Sequence, residues 1–93
     1  MTIQRIRQKV IDREYHLSSH AEEEMWADRL ERLDVENAIL KGRIGKRLTR
    51  DPRGTRYRID GPAADGRPVH VVCRFTAKEA LLIITVYTLR EGR

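Results

Sequence analysis

The sequence predicts a single α+β domain over residues 1–93, in which N-terminal helices pack on one face of a four-stranded antiparallel meander sheet. Two observations lead to this prediction. Apolar residues recur at helical spacing up to Gly42, whereas from Arg43 onward they alternate with polar residues at the period of two that is typical of strands. The chain has 93 residues, a length that suits one hydrophobic core.

The first helix is predicted over residues 1–13. Three apolar side chains share one face at helical spacing: Ile3, Ile6 and Val10. Thr2 is the expected N-cap, since its hydroxyl can accept a hydrogen bond from the first turn. A brief extended segment, Tyr15–Ser18, is expected to follow.

Two short helices are predicted within residues 15–42. Ser19 is the expected N-cap of the first, because Glu22 stands three residues later at the spacing of a capping box. Asp34 is the expected N-cap of the second, which Gly42 ends. Trp26 lies at helical spacing with the other apolar residues, and we expect it in the core or at a contact with a protein partner.

Residues 43–89 predict four strands joined by short turns. The turns follow from Asp51-Pro52-Arg53-Gly54, and from Gly61–Gly66 with its Asp65-Gly66 pair. The predicted strands are Arg43–Arg50, Thr55–Asp60, Arg67–Thr76 and Leu81–Leu89. Four consecutive strands with short connections form an antiparallel meander.

The alternation in the last two strands predicts which side chains face away from the helices. Val69, Val71, Cys73, Phe75, Leu82, Ile84 and Val86 form the expected core faces. His70 and Arg74 of the third strand, and Thr85 and Tyr87 of the fourth, are therefore expected to share the opposite face. Such a group of side chains can bind or cleave a ligand.

The charge is unevenly distributed along the chain. The net charge is +5, from 19 basic and 14 acidic residues. Residues 41–58 hold eight basic side chains against Asp51 alone, whereas residues 18–36 are predominantly acidic. Clustered like charges are relieved by an anionic ligand, and phosphate is the commonest one, so RNA is the expected partner.

Other classes of protein are excluded by composition. Cys73 is the single cysteine, so no internal disulfide can form, and a reducing compartment is expected. The charged N-terminus lacks the apolar stretch of a signal peptide, and the most apolar run, Ala80–Tyr87, is too short to cross a membrane. A cytoplasmic protein without a membrane association is predicted.

The order and spacing of several short motifs resemble the bacterial family designated domain of unknown function 4258. The resemblance covers roughly residues 15–89. The motifs are Ser19-His20-Ala21, Leu33-Asp34-Val35, Ala38–Gly42, Arg56-Tyr57-Arg58-Ile59, Asp65-Gly66-Arg67 and Ile83–Tyr87.

That family is similar to the RelE/ParE-like and BrnT-like toxins of type II toxin–antitoxin systems. The resemblance implies a RelE/BrnT toxin-like fold and metal-independent cleavage of messenger RNA, with no cofactor. It also implies an antitoxin partner, either a small zinc-finger or a helix-turn-helix protein. Many relatives carry arginines where this chain has Glu24 and Asp28, so an RNA-binding role of that helix is not expected here.

A metal-independent ribonuclease needs a base, a cation that stabilises the phosphorane, and an acid. The candidate catalytic residues are His20, His70, Arg74 and Tyr87. Each has a structural alternative. His20 can help to cap its helix, His70 can be a cross-strand neighbour, Arg74 can form a surface ion pair, and Tyr87 can pack at the core edge.

The candidate RNA-binding residues follow the basic region and the shared sheet face: Lys46, Arg47, Arg50, Arg53, Arg56, Arg58 and Thr85. No metal site is predicted, because His20 can pair with His16 or Glu24 but no third ligand is evident. Two other functions remain open: a non-catalytic RNA- or protein-binding module, and a ParE-like inhibitor of an acidic protein target. A homo-oligomer is compatible with all of these.

Overall fold

A computed structural model describes residues 1–89, so the last four residues of the predicted domain lie outside the described part. The elements are α1 (Thr2–Ile11), β1 (Tyr15–Leu17), α2 (Ser19–Ala27), α3 (Arg32–Lys41), β2 (Arg43–Leu48), β3 (Arg56–Pro62), β4 (Pro68–Phe75) and β5 (Leu81–Thr88). The α+β class is confirmed. None of the helices within residues 1–89 is long and apolar enough to cross a membrane.

The sheet has five strands in the order β1-β5-β4-β3-β2 within the described chain. Strands β2 to β5 form the predicted antiparallel meander. Strand β1 adds to it in parallel with β5, with Tyr15 opposite Leu81. The predicted four-stranded antiparallel sheet is therefore wrong, and the sheet is mixed. A segment of three residues shows no clear period, and its partner strand lies at the far end of the chain.

The first two helices begin one residue earlier than their expected caps imply. Met1 occupies the N-cap position of α1, so Thr2 is its first residue. Ser18 caps α2, because its Oγ accepts a hydrogen bond from the Ala21 N–H at 3.0 Å, and the expected cap Ser19 lies inside the helix. Adjacent serines offer two candidate caps, and only the backbone geometry decides between them.

Asp34 is not the N-cap of α3 but stands in its first turn, with Glu31 as the cap. Its buried carboxylate accepts hydrogen bonds from the Glu31 N–H at 2.8 Å and from the Ala64 N–H at 3.0 Å. Asn37 donates to the carbonyl oxygens of Pro62 and Ala63. These bonds attach α3 to the turn between β3 and β4.

One face of the sheet packs against the three helices. The buried core includes Ile59 of β3, Val69, Val71 and Cys73 of β4, and Leu81, Ile83 and Val86 of β5, together with Ile6, Val35 and Ile39 of the helices. The core face predicted for β4 is confirmed at Val69, Val71 and Cys73. Burial raises the pKa of the Cys73 thiol to about 12.

The faces predicted for the first half of β5 are wrong. Leu81 and Ile83 are fully buried, whereas Leu82 and Ile84 are only half-buried. Val72 pairs with Thr85 but the next residue, Cys73, pairs with Ile83, so Ile84 is an extra residue in β5. Such a bulge shifts the alternation by one position, and a strict period of two then fails.

Trp26 is not a core residue. Its side chain is 87% exposed on the surface of α2. Met25 and Leu30 supply the buried apolar contacts at this end of the helix. A contact of Trp26 with a protein partner therefore stays a prediction.

Candidate active site on the open face of the sheet

The open face is the side of the sheet that points away from the helices, and four of its polar side chains form a continuous chain of polar contacts. The Tyr87 hydroxyl lies 3.0 Å from His70 Nδ1. His70 Nε2 lies 3.4 Å from Asp60 Oδ1. Arg58 donates to both Asp60 oxygens, at 2.8 and 3.0 Å. We call these four residues the Tyr87–His70 network.

Strand register brings these side chains together. Asp60 pairs with His70 across β3 and β4, and His70 pairs with Tyr87 across β4 and β5. Arg58 stands two residues before Asp60 on β3, so both side chains point to the same face. Asp60 was not among the candidates from sequence, although its alternation with Arg58 on a predicted strand is a signal that can identify it.

The network favours a neutral His70 with a defined tautomer. A carboxylate can only accept, so the contacts favour the tautomer with the proton on His70 Nε2, which leaves Nδ1 to accept from the Tyr87 hydroxyl. Desolvation, followed by the positive charge of Arg58, lowers the pKa of His70 against the opposing effect of Asp60. A neutral imidazole that faces a hydroxyl group can take a proton from it.

Gly45 makes room for the Asp60 carboxylate. The register between β2 and β3 shifts at this point, between the Ile44–Ile59 and Lys46–Arg58 pairs. A Cβ atom on Gly45 would stand 2.5 Å from Asp60 Cγ and 2.8 Å from Oδ1, and it would overlap Oδ2. The missing side chain therefore lets Asp60 lie between its partners Arg58 and His70.

The acidic residues of α2 cover the edge of β5 beyond the end of β1. Glu24 accepts a hydrogen bond from the Val86 N–H at 3.1 Å, and Asp28 accepts from the Thr88 N–H at 2.9 Å. These two carboxylates thus satisfy strand donors that β1 is too short to reach. Both carboxylates therefore have a structural role in this chain.

His20 stands apart from the network. Its Nε2 lies 3.2 Å from Glu24 Oε1 one helical turn along α2, and its side chain is 64% exposed. Glu24 also lines a small cavity of about 330 Å³ with Ala27, Asp28 and Tyr87. His20 thus contacts a residue that lines the same cavity as Tyr87 but belongs to no contact of the network, so the four candidate catalytic residues do not form one cluster.

Arg74 and Thr85 share the open face with the network without contacting it. Arg74 is four residues beyond His70 on β4, a distance of about 13 Å at the strand rise of ~3.3 Å per residue. It pairs with Leu82, and its Nη1 donates to the Phe75 carbonyl at 3.4 Å. Thr85 stands two residues before Tyr87 on β5 and pairs with Val72 of β4.

The basic candidates continue from the network to the β2–β3 hairpin loop. Lys46 pairs with Arg58, and Leu48 pairs with Arg56, so the basic side chains of Lys46, Arg58 and Arg56 follow the open face. Four arginines line a cavity of about 500 Å³ at the loop, which we call the hairpin cavity: Arg47, Arg50, Arg53 and Arg56. Asp51 is the acidic residue in this lining.

No three His, Cys, Asp or Glu side chains within residues 1–89 stand close enough together to hold a metal ion. The open face presents the side chains described above. They comprise a hydroxyl group in contact with a neutral imidazole, a carboxylate that orients the imidazole, and a line of guanidinium groups.

Comparison with known proteins identifies the family of the chain. It matches no curated protein and no solved structure. The family model described as Domain of unknown function (DUF4258) matches residues 17–88. This match begins at the last residue of β1 and ends at the last residue of β5, so it spans all four strands of the meander. The chain therefore belongs to the DUF4258 family.

Proposed function

We propose that the protein is a toxin-like endoribonuclease that cleaves RNA without a metal ion. The observation that carries the proposal is the 3.0 Å contact between the Tyr87 hydroxyl and His70 Nδ1, beside the Arg58 guanidinium. The basic residues that continue from this point to the hairpin cavity support an RNA substrate. The family resemblance to RelE-like and BrnT-like toxins suggests the same activity.

The proposed reaction is a transesterification within the RNA chain. Tyr87 takes the proton of a ribose 2′-hydroxyl while its own proton passes to His70 Nδ1. The 2′-oxygen attacks the adjacent phosphorus and forms a 2′,3′-cyclic phosphate. The bond to the 5′-oxygen breaks, and that oxygen takes a proton from water. His70 then returns its proton through Tyr87 to the solvent.

The other network residues have supporting roles in this proposal. Asp60 orients the His70 ring and stabilises the imidazolium ion that forms during the reaction. Arg58 stabilises the additional charge on the phosphorane, since a guanidinium fork suits phosphate oxygens. Arg74, Lys46 and Thr85 contact the flanking RNA on the same face.

Purified protein and single-stranded RNA in the presence of EDTA test the proposal. We expect cleavage products that end in a 2′,3′-cyclic phosphate, and we expect Tyr87→Phe and His70→Asn to abolish them. Tyr87→Phe removes only the hydroxyl group, so the far-ultraviolet circular dichroism spectrum should not change. RNA that stays intact with the wild-type protein would refute the activity.

A non-catalytic RNA-binding module is the second candidate. The observation that favours it is that both ring nitrogens of His70 already have partners within the sheet, and its side chain is only 14% exposed. Salt-dependent RNA binding without cleavage products would support this function.

A protein partner is also part of the proposal. Trp26 exposes 87% of its surface on α2, and Leu33 at the start of α3 exposes 63%. Large exposed apolar side chains are typical of protein contacts. We propose that an antitoxin contacts this helical side and leaves the open face to RNA. Trp26→Ala should weaken co-purification of a co-expressed neighbouring gene product without changing RNA binding.

A further inference from the structure

The hairpin cavity carries more positive charge than its own carboxylate neutralises. Four arginines line it, whereas Asp51 is the acidic residue among its lining side chains. Within residues 1–89, neither Arg47 nor Arg50 forms an ion pair or a side-chain hydrogen bond. Guanidinium groups held this close repel one another, so the cavity favours an anion of more than one charge.

Asp51 organises two of these arginines. Its side chain is only 5% exposed, and its Oδ1 accepts hydrogen bonds from the Arg53 backbone N–H at 2.9 Å and from Arg53 Nε at 3.3 Å. The hydrogen bond from the Arg53 backbone N–H is the largest cause that lowers the pKa of Asp51, and the bond from the Arg53 side chain adds to it.

The second organised arginine is Arg56, whose Nε lies 3.4 Å from Asp51 Oδ2. That nitrogen is buried and has no partner in hydrogen-bonding geometry. Asp51 therefore approaches both arginines through their Nε atoms. The Nη atoms of Arg53 and Arg56 make no hydrogen bond within the described residues, so both can donate to a ligand.

We propose that the hairpin cavity binds the terminal phosphate monoester of an RNA strand. A monoester carries a charge of about −1.5 to −2 at neutral pH and offers three acceptor oxygens, whereas an internal diester carries a single charge. The excess of arginine over aspartate in the cavity suits the monoester better. The hairpin loop also lies where β2 ends and β3 begins, at one end of the open face.

This site adds a substrate preference to the proposed function. One consequence, the position of the cut, rests on the proposed endoribonuclease activity. Arg56 lines the hairpin cavity, and Asp60 belongs to the network four residues along β3. The separation is about 13 Å at ~3.3 Å per residue. The reacting hydroxyl belongs to Tyr87, two strands further across the sheet at ~4.8 Å per strand, so the direct distance from Arg56 is about 16 Å. A stacked strand rises ~3.4 Å per nucleotide, so the cut is expected about five nucleotides from the phosphorylated end.

Fluorescence anisotropy with three otherwise identical RNA oligonucleotides tests the site. One oligonucleotide carries a 5′-phosphate, one a 3′-phosphate, and one has hydroxyl groups at both ends. We expect one phosphorylated form to bind at least about tenfold more tightly than the hydroxyl form, the equivalent of one hydrogen bond to a charged group. Equal affinity for all three would overturn the proposal.

A pair of charge-matched variants completes the test. Arg50→Gln with Arg53→Gln should abolish the preference for the phosphorylated end. Lys41→Gln with Lys78→Gln removes the same charge from exposed positions outside the cavity and should keep the preference. A preference that survives in the arginine variant would overturn the proposal. Because Arg50 has no side-chain partner, Arg50→Gln alone provides a variant whose fold is not at risk.

Cleavage assays on the same oligonucleotides separate this inference from the proposed function. Cleavage that is independent of the end group would overturn the terminal phosphate site and leave the endoribonuclease intact. A preference for the phosphorylated end without any cleavage would support the phosphate site and reject the endoribonuclease. Cleavage at a constant distance from the phosphorylated end supports both.

Discussion

Replacement of Gly45 by alanine tests how the network is held in place. The new Cβ atom would stand 2.5 Å from Asp60 Cγ and 2.8 Å from Oδ1, well inside van der Waals contact, and it would overlap Oδ2. The three nearest atoms all belong to this one carboxylate, so Asp60 must rotate away or β2 must move. Either change separates Asp60 from Arg58 and His70.

The expected cost follows from what the carboxylate loses. Overpacking of a filled site typically costs about 1–3 kcal/mol. The bidentate bond between Arg58 and Asp60 is partly exposed to solvent, with side-chain exposures of 29% and 26%, so its loss adds little beyond that range. Gly45 is exposed and the Asp60 carboxylate is only partly buried, so the low end of the core range applies, and we expect Gly45→Ala to lower the free energy of unfolding by about 1 kcal/mol.

The assay is urea unfolding of a double-mutant cycle with Asp60→Ala. Once the carboxylate is gone, the alanine at position 45 has room, so Gly45→Ala should then cost less than about 0.5 kcal/mol. NMR titration of His70 is a second measurement. Asp60 raises the pKa of His70 in the wild type, so that pKa should fall further in Gly45→Ala.

An equal cost of Gly45→Ala in the two backgrounds would refute the explanation, because the penalty would then not arise from Asp60. An unchanged His70 titration would refute it independently, since a displaced carboxylate cannot keep its influence on the ring.

Three further predictions concern other features of the fold. Glu24→Ala should lower the free energy of unfolding by about 1–3 kcal/mol because the Val86 N–H loses its acceptor, whereas exposed Glu23→Ala should change it by less than about 0.5; equal effects would contradict the edge-covering role. The pKa of His70 is lowered in the folded state, so the unfolded chain binds the proton more readily and stability should fall as the pH drops below about 6.5. His70→Asn should remove this part of the pH profile, and superimposable profiles would count against it. The Cys73 thiol, with its pKa raised to about 12, should react with a thiol reagent only on unfolding, so rapid modification of the native protein would contradict its burial.

Local periodicity was sufficient to predict much of the fold. Each apolar pattern predicts one element with one buried face. The helical pattern comprises Ile6 and Val10, the alternating pattern comprises Val69, Val71 and Cys73, and all five side chains are buried. The extended segment at Tyr15–Ser18 was predicted, but neither its pairing with β5 nor the bulge at Ile84 was predictable in this way. The first needs a parallel partner from the other end of the chain, and the second interrupts the period itself.

The candidate site was likewise predicted only in part. Alternation alone predicted that His70 and Tyr87 share a face, and the family resemblance was evident from motifs in order along the chain. The contact between them and their connection to Asp60 depend on the register of three strands. Register is a property of paired strands, so no single strand's sequence contains it.

The sequence by itself determined the α+β class, the family, and the separation of a basic sheet region from an acidic helical region. Only the tertiary structure decided what the acidic residues do. In the sequence, Glu24 and Asp28 are two charges among many in an acidic segment, but in the fold they accept hydrogen bonds from the backbone of β5. The physical reason is that β1 ends after three residues, and the exposed donors of its neighbour must find acceptors from another element.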